Sequence, residues 1–411
     1  YLKDGLWERD EGRRRFQLCR AVVQELKGLI EALKEENRML VQEAQGGNDE
    51  ITLLVSQSNK AIESMLAWVK SCSNVSRINA MLDLVRSEPG ISVSIKEFDS
   101  KGHYLRVQNG VIDLRDGTFS PATPDHLMLR SCSVAYNPDA ECPKWLAMVH
   151  DIMQGDKEGV SFLARLAGQA LLGTGSKDQV FIFNGPGGNG KSTFIDTLHR
   201  IMGSYAKVTN PELITGRHQK AEYYLAELSG VRLLLMSESG RGDMLAEAMI
   251  KRLVDSGSIT ARAPAGKPFE YQPVATPILV TNHLPHISSD AATWRRLTLV
   301  PFNYQVPLDK RQPGYRDLLV KEEGEGILNW MIEGCLDYMW QGLNPPDVVI
   351  EAKERFKREA NRVAMFMDEC TVRSDGAQVS LQELRSVFDI WAKENGFRSM
   401  GRNLFSEELG I

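Results

Sequence analysis

The hydrophobic pattern of the N-terminal part of the chain predicts helices. From residue 14 to about residue 45, apolar side chains recur at alternating steps of four and three residues, the period of one helix face. The members of this stripe are Cys19, Val23, Leu26, Ile30, Leu33 and Leu40. Asn37 interrupts it and the repeat lasts only about three heptads, which favours a helix packed in a bundle over a coiled coil. Further helical patterns cover residues 50–70 and 74–87.

The pattern changes from helices to strands in the middle of the chain. The stretch LRVQNGVIDL at 105–114 places an Asn-Gly turn between two apolar runs, which is typical of a β-hairpin. Short apolar runs then alternate with helical stretches, and they predict strands at 180–184, 231–236, 277–281 and 297–301. Strands that alternate with helices predict a largely parallel sheet whose ligands bind at its carboxyl edge. From about residue 308 the pattern is helical again.

These patterns predict an α/β protein of three parts. The expected parts are a helical and β-hairpin domain at 1–140, an α/β domain at 141–307 and a helical region at 308–411. The tail has two helical stripes joined at Asn395-Gly396, which suits either the helix pair of a winged helix or a helical cap on the α/β domain. Because the chain begins without Met and stops inside a helical pattern, we expect it to be a fragment of something longer.

Composition and charge narrow the class of protein. The chain of 411 residues is 42% hydrophobic and 25% charged, as in ordinary globular proteins. Its net charge of −5 means that any DNA contact must come from local basic positions. Neither an apolar run of membrane-spanning length nor a signal peptide is visible, so we expect a cytoplasmic protein. The six cysteines form no CxxC pair, which favours free thiols in a reducing compartment.

A glycine-rich loop carries the strongest chemical signal. GPGGNGKST follows the apolar run VFIFN and fits the P-loop pattern, in which a strand leads in and a helix leads out. Backbone N–H groups of such a loop and the helix N-terminus together favour a phosphate. Lys191 would reach the β- and γ-phosphates, and the Ser192 hydroxyl would ligate Mg²⁺. We therefore predict ATP and Mg²⁺ as cofactors, bound by Gly185, Pro186, Gly187, Gly188, Asn189, Gly190, Lys191, Ser192 and Thr193.

Polar residues at the ends of later strands complete the predicted site. VRLLLMSES ends in Glu238, where a Walker B acid would polarise the attacking water or help to hold the metal. We expect this strand to lie beside the P-loop strand, and we note that Ser237 stands where an Asp is usual. Asn282 follows the run TPILVT and is suited to orient water against the γ-phosphate. The alternative for Glu238 is a solvated residue at a strand end, and the alternative for Asn282 is an ordinary asparagine after a strand.

Basic residues supply two further candidates. Arg295 and Arg296 precede the last strand, and arginine stabilises charge on a transferring phosphoryl group. We expect them to lie far along the sheet from Lys191, so that a neighbouring subunit's site is the better target; a surface ion pair is the alternative. ITARAPAGKPFEYQP predicts a hairpin in which Arg262 and Lys267 make a basic tip that suits phosphate contact, or else a plain exposed turn.

These motifs together resemble superfamily 3 helicases, in the branch of phage, plasmid and poxvirus primase-helicases. The resemblance spans roughly residues 105–302, in family order: QNGVIDLRDGTFSP, YNPDAECPKWL, GPGGNGKST, LLLMSES, IKRLVDSGSITARAPAGKPFEYQP, LVTNHLP and TWRRLTLVPF. It implies a modified AAA+ ATPase domain, with Lys191 and Ser192 as the Walker A pair, Glu238 as the Walker B acid and Asn282 as the sensor. It also implies that Arg295 or Arg296 is a finger acting in trans, and that Lys267 lies in a hairpin facing a central pore.

The resemblance implies a DNA helicase of a virus or mobile element, acting in the host cytoplasm. Its implied partners are single-stranded and replication-fork DNA, copies of itself in a ring that is commonly hexameric, and an upstream primase-polymerase domain or a separate primase. Movement along DNA would usually run 3′ to 5′. Two other functions stay open: a replication scaffold or loader that binds ATP but hydrolyses it weakly, and a P-loop kinase or switch.

Overall fold

The computed structural model describes most of the chain. The described residues are 2–3, 6–8, 10, 12–44, 49–88, 93–175, 178–215, 221–237, 244–255, 257–262, 266–285, 287, 291–360, 362–372, 374, 376–395, 397 and 400–409. They form two compact units, Tyr1–Glu97 and Phe98–Ile411. The functional division predicted at residues 140 and 307 stays a prediction.

The first unit is built on a helical hairpin. Its elements are β1 (Leu2–Lys3), β2 (Leu6–Trp7), α1 (Arg14–Ala44), α2 (Asp49–Cys72) and α3 (Val75–Val85). Helices α1 and α2 pack through Val23 and Ile30 of α1 and through Ile62 and Val69 of α2. The two α1 residues belong to the apolar stripe that the periodicity predicts. Asn37, the interruption in that stripe, donates a hydrogen bond from its side-chain amide to the Asn59 side-chain oxygen across the hairpin (2.7 Å), whereas its own side-chain oxygen is buried without a hydrogen bond to the described residues.

The second unit contains a small antiparallel sheet, a larger parallel sheet and the helices around them. In chain order its elements up to the end of the larger sheet are β3 (Tyr104–Val107), β4 (Gly110–Asp113), β5 (Thr118–Ser120), α4 (Pro143–Ile152), α5 (Lys157–Leu171), β6 (Val180–Asn184), α6 (Lys191–Met202), β7 (Ala206–Thr209), α7 (Glu212–Thr215), α8 (Ala221–Ala226), β8 (Leu233–Ser237), α9 (Glu247–Val254), β9 (Ile259–Arg262), β10 (Pro268–Tyr271), β11 (Thr276–Thr281), α10 (Ala291–Arg296) and β12 (Leu297–Pro301). The hairpin predicted at 105–114 forms β3 and β4, which pair in antiparallel register with each other, and β4 pairs with β5.

The larger sheet is parallel, as the alternation of strands and helices predicts. Its strand order is β12-β6-β11-β8-β7. Alternate residues of β6 enter different cores: Phe181 and Phe183 pack with the cluster that includes α5, α6 and the first C-terminal helix, whereas Val180 and Ile182 pack with the cluster on the other face. Burial on both faces explains why these strands read as continuous apolar runs.

The C-terminal region is helical, as predicted. It comprises α11 (Tyr315–Gln341), α12 (Asp347–Ala360), α13 (Arg362–Cys370), α14 (Leu381–Glu394) and α15 (Arg402–Leu409). Helix α11 crosses α5 so closely that a Cβ on Gly168 would lie 2.1 Å from the Cys335 backbone nitrogen. Helices α13–α15 share a small core around Phe366, Phe388 and Phe405. No strand occurs among the described residues after Pro301, so this part of the chain shows helices of the predicted tail and no wing.

The four strands predicted for the parallel sheet are confirmed, and a fifth was missed. Strands β6 and β12 have the predicted limits, and β8 and β11 differ from them by one or two residues. The missed strand, β7, has the sequence AKVT, lies at the sheet edge and is partly exposed along its length. A short edge strand buries too few apolar residues to produce a recognisable run.

Candidate functional site

The glycine-rich loop of residues 185–190, the predicted P-loop, connects the carboxyl end of β6 to the first residue of α6, so the expected strand–loop–helix arrangement is present. The Lys191 side chain turns back onto this loop and is buried, with 4% of its surface exposed. Its ammonium donates to four oxygens: the Gly185 carbonyl (2.6 Å), the Pro186 carbonyl (3.2 Å), the Asn189 side chain (3.0 Å) and the Asn282 side chain (3.1 Å). All four acceptors are neutral, so the loop carries an uncompensated positive charge among these contacts.

Burial has an electrostatic consequence for this lysine. Removal of the ammonium from water lowers the pKa of Lys191 to about 8. No salt bridge joins it to a carboxylate among the residues that the structure describes. A buried cation held by neutral oxygens is a group that an incoming anion would stabilise.

Rigid packing beneath the loop holds this geometry. Asn189 is buried and donates from its side-chain amide to the Phe302 carbonyl (2.7 Å), which anchors the loop to the residue after β12. Phe194, in the first turn of α6, stacks on Trp145 of α4 with ring centroids 5.1 Å apart. The loop is therefore fixed from both the strand side and the helix side.

The hydroxyl residues of the motif begin helix α6. Ser192 is exposed, and Thr193 accepts a hydrogen bond at its backbone carbonyl from the Thr197 hydroxyl (2.7 Å). Among the described residues, no three or more His, Cys, Asp or Glu side chains lie together so that they could hold a metal ion. Glu238, the predicted acidic partner, lies outside the described residues.

The order of the strands in the sheet places Asn282 in contact with Lys191. It follows β11, which pairs in parallel with β6 so that Thr281 is level with Asn184. The carboxyl ends of the two strands therefore meet, and the Asn282 side-chain oxygen reaches the Lys191 ammonium. The structure thus brings together two residues that the sequence analysis predicted separately.

The predicted neighbour relation of the Glu238 strand is wrong. Strand β8, which ends at Ser237, pairs with β11 and not with β6. Two strand spacings, roughly 10 Å, therefore separate β8 from the P-loop strand. The apolar runs predict where each strand lies in the sequence, but they carry no information about which strands become neighbours in the sheet. Ser237 is exposed at the carboxyl edge of the sheet, level with Val280 of β11.

The predicted position of the arginines also needs correction. Strand β12 pairs directly with β6, so Arg295 and Arg296 are not far along the sheet. They lie at the amino ends of the parallel strands, because they precede β12. The P-loop lies at the carboxyl ends, because it follows β6. A strand of five residues spans roughly 15 Å, which separates these arginines from Lys191 within one chain.

The two adjacent arginines have different surroundings. Arg296 is 9% exposed, and its guanidinium donates to the Asp255 carboxylate (2.9 and 3.3 Å) and to the Ala292 carbonyl (3.0 Å). Arg295 is exposed and has no hydrogen bond or ion pair to the described residues. Arg296 therefore has a structural ion pair, and Arg295 presents its charge to solvent.

The predicted basic hairpin is present as β9 and β10, which pair in antiparallel register. Arg262 is exposed and donates from Nε to the Gly266 carbonyl (3.0 Å), and Lys267 is exposed beside it. Phe269 is partly exposed on the same hairpin, while the Tyr271 hydroxyl donates to the Leu225 carbonyl (2.5 Å) and ties the hairpin to α8. The tip, residues 263–265, lies outside the described residues.

The sequence analysis missed one basic residue next to the P-loop. Arg311 follows β12 by ten positions, and its guanidinium lies against Gly188. Its Nε donates to the Val306 carbonyl (3.0 Å). No motif or periodicity marks this arginine, because its position depends on how the segment after β12 folds back over the loop.

The fold and the site define a parallel α/β protein with a buried lysine in a glycine-rich loop at the carboxyl edge of its sheet. Residues 1–154 match the family described as "D5 N terminal like", and residues 183–296 match a "family of unknown function (DUF5906)". The matching relatives are named as helicases or primases of large DNA viruses. The resemblance to the phage and poxvirus type of primase-helicase is thereby confirmed.

Three relatives illustrate the match. A "putative helicase" of Acanthamoeba polyphaga mimivirus is 25% identical over 73% of this chain and 34% of its own length. A "putative helicase" of Frog virus 3 is 26% identical over 57% of this chain and 26% of its own length. A "putative primase" of African swine fever virus is 22% identical over 73% of this chain and 34% of its own length. The chain therefore spans about a third or less of the curated relatives it matches.

Among solved structures, the apo C-terminal region of NrS-1 is similar at 12% identity over 81% of this chain and 83% of that chain. Its TM-score is 0.44, which is too low to support an inference about this chain. Among the described residues, no helix has the length and apolar character needed to cross a membrane.

Proposed function

We propose that this chain is the ATPase part of a DNA helicase in a replication system of the phage, plasmid or poxvirus type. The observation that carries the proposal is the convergence of the buried Lys191 ammonium, the P-loop oxygens and Asn282 at one edge of the sheet. Relatives named as helicases and primases support the same role.

The donor set of the loop fits a nucleoside triphosphate. Phosphate oxygens would replace the neutral oxygens that now accept from Lys191, and they would compensate a charge that has no carboxylate partner among the described residues. The exposed Ser192, in the first turn of α6, is the residue whose hydroxyl would hold Mg²⁺. Bound Mg²⁺ would neutralise charge that develops on the transferring phosphoryl group.

Two residues are proposed to act on the attacking water. Asn282 lies within hydrogen-bond distance of Lys191, from which its amide can orient a water beside the terminal phosphate. Glu238 is proposed as the general base and as a further metal contact, on the grounds of its motif alone. The order of events is binding, alignment of the water and proton removal.

We further propose that Arg295 completes the site of a neighbouring subunit. Arg295 is exposed, whereas Arg296 is already paired with Asp255. An arginine donated head to tail requires a heterologous contact, and such contacts form a ring when the rotation between subunits closes. A hexameric ring is the expected form, as in the family that the sequence resembles.

DNA would be held by the hairpin of β9 and β10. The exposed side chains of Arg262 and Lys267 offer charge to the phosphates, and Phe269 offers a face on which a base can stack. We propose that ATP turnover moves this hairpin along single-stranded DNA, 3′ to 5′, at a replication fork. A primase-polymerase domain of the same protein or a separate primase is the proposed partner.

A second candidate is a replication scaffold or loader that uses ATP mainly for assembly. The observation that favours it is Ser237, which ends β8 at the position where an acidic metal ligand would otherwise stand. A P-loop kinase or switch is less well supported, because it gives no role to Arg295 or to the basic hairpin.

Hydrolysis measured with and without single-stranded DNA separates these candidates. A helicase predicts ATP hydrolysis that DNA stimulates and that Lys191→Ala abolishes. ATP binding with little hydrolysis in either condition would favour the scaffold, and hydrolysis that ignores DNA would favour the kinase or switch. Arg316→Ala, which removes an exposed arginine paired with Asp196 of α6, is the matched control and should behave as wild type.

A further inference from the structure

The segment that follows β12 is tied to the end of β6 and to the P-loop by three hydrogen bonds. Phe302 donates from its backbone nitrogen to the Asn184 carbonyl (2.7 Å) and accepts at its own carbonyl from the Asn189 side chain (2.7 Å). Val306 donates from its backbone nitrogen to the Gly188 carbonyl (2.9 Å). These contacts fix the course of residues 302–306 over the loop, so the residues that follow are held near its tip.

This path of the chain places Arg311 against the P-loop. Its Nε donates to the Val306 carbonyl (3.0 Å), which sets the plane of the guanidinium. A Cβ on Gly188 would lie 2.5 Å from Nη2 of Arg311 and 2.9 Å from its Cζ, so the guanidinium rests on the loop backbone. Gly188 also has a φ of +77°, which a residue with a side chain rarely adopts. The backbone conformation therefore favours glycine at position 188, and a side chain there would displace the end of Arg311.

The charge on Arg311 has no counterpart in the described part of the chain. The guanidinium is exposed, and its two terminal nitrogens have no hydrogen bond there; no carboxylate lies within salt-bridge distance. Lys191, on the same loop, likewise has no acidic partner among those residues. Two cations that contact one glycine-rich loop both favour an anion bound at that loop. The free edge of an arginine fork matches two phosphate oxygens.

A purely structural role would use Arg311 differently. The bond from Nε to Val306 alone could hold the segment in place, and the terminal nitrogens would then serve no purpose. A strap of that kind predicts that replacement of Arg311 affects folding or every nucleotide equally. A phosphate contact predicts an effect that grows with the number of phosphates.

We infer that Arg311 binds the β- and γ-phosphates of the nucleotide held by the P-loop of its own chain. This inference rests on the proposed function, since it assumes a nucleoside triphosphate at Lys191. It assigns Arg311 to the site in cis, in contrast to Arg295, which is proposed to act on a neighbouring subunit.

Nucleotide affinity of the full chain tests the inference without the need for turnover. Arg311→Ala should weaken ATP and ADP binding roughly tenfold to a hundredfold and leave AMP binding unchanged. Arg311→Lys should recover part of the loss, because it keeps the charge but not the fork. Arg316→Ala, the exposed arginine nearby in sequence, should bind all three as wild type does.

The outcomes separate this inference from the proposed function. Unchanged ATP affinity in Arg311→Ala, or an equal loss for AMP and ATP, would overturn the role of Arg311 while the P-loop site stands. Absence of ATP binding by the wild-type chain would overturn both. A wild-type chain that binds ATP but hydrolyses it poorly would still support the inference if the affinity pattern holds.

Mixing of the two variants tests the assignment in cis. Arg311→Ala and Lys191→Ala damage the same P-loop site, so at an ATP concentration too low to occupy Arg311→Ala a mixture should hydrolyse no more ATP than the two preparations do separately. Hydrolysis in the mixture that exceeds this sum would show that Arg311 acts on another subunit and would overturn the inference.

Discussion

The ammonium of Lys191 and the side-chain oxygen of Asn282 lie 3.1 Å apart, although 91 positions separate them in the chain. Their contact exists because β6 and β11 are neighbours in the parallel sheet and end at the same level. The residue that would meet a phosphate and the residue that would align a water are therefore joined by one hydrogen bond. A nucleotide that displaces this hydrogen bond would change the contacts of Asn282, directly after β11.

The first prediction concerns the charge state of Lys191. Its protonated form attracts phosphate, and its pKa of about 8 means that this form is lost as the pH rises through that value. ATP affinity should therefore fall roughly tenfold between about pH 7.5 and about pH 9. Titration of ATP into the chain at a series of pH values measures this. Lys191→Arg keeps its charge throughout, so its affinity should be flat over the same range; a flat wild-type profile would contradict the prediction.

The second prediction separates Arg295 from Arg296. Arg296→Ala removes an ion pair in which the arginine is buried and the Asp255 side chain is about half exposed, and should lower the free energy of unfolding by roughly 1 to 2 kcal/mol. Arg295→Ala should leave stability unchanged but reduce ATP turnover roughly a thousandfold or more while ATP still binds. Denaturant unfolding and steady-state hydrolysis measure the two effects.

A mixing experiment shows whether Arg295 acts in trans. Lys191→Ala lacks its own site but still offers Arg295, and Arg295→Ala has the converse defect. Some interfaces in mixed rings would contain both parts, so hydrolysis should return from two inactive preparations. A mixture that stays inactive although mixed rings form would assign Arg295 to its own chain or to no role in turnover.

The third prediction concerns the basic hairpin. Lys267→Ala should weaken binding to single-stranded DNA for every sequence, because a phosphate contact reads no bases. The slope of log affinity against log salt should shrink by roughly 0.7. Lys157→Ala, an exposed lysine at the start of α5, is the matched control. DNA affinity that is equal in wild type and Lys267→Ala would remove the hairpin from the interface.

The fourth prediction tests how α4 is held beneath the site. Glu323 is 6% exposed, and its carboxylate accepts from the backbone nitrogens of Lys144 (3.0 Å) and Trp145 (2.9 Å) at the start of α4. Glu323→Ala should therefore lower the free energy of unfolding by roughly 2 kcal/mol, since two N–H groups lose their acceptor.

The neighbouring acid provides the control for this measurement. Glu322 forms a half-exposed ion pair with the Lys144 side chain, so Glu322→Ala should cost less than about 1 kcal/mol. Chemical denaturation of both variants gives the comparison. Equal losses of unfolding free energy in the two variants would mean that capping of α4 by Glu323 contributes little to the stability of the protein.

Local motifs predicted the strands and the P-loop, because their signals lie in contiguous residues. VFIFN followed by GPGGNGKST specifies β6, the loop and the start of α6 without reference to the rest of the chain. Strand order is a property of contacts between distant segments, so the positions of β8 and β12 relative to β6 were predicted wrongly. The missed strand β7 has too few apolar residues to stand out.

Side-chain surroundings were beyond the sequence for the same reason. Arg295 and Arg296 are equivalent in the motif, and only the position of Asp255 on the neighbouring segment distinguishes them. Arg311 reaches Gly188 because Phe302 and Val306 bond to the loop, an arrangement that no spacing rule encodes. Chemical type could be read from the motifs, whereas the partner of each charge required the fold.

Strand separation on a tailed duplex tests the central claim most directly. With ATP and Mg²⁺, the wild-type chain should displace the shorter strand from a duplex that carries a 3′ single-stranded tail, and Lys191→Ala should not. A non-hydrolysable ATP analogue should support DNA binding without displacement. A wild-type chain that hydrolyses ATP in response to DNA yet separates no strands on 3′- or 5′-tailed substrates would contradict the proposal that this chain is a helicase.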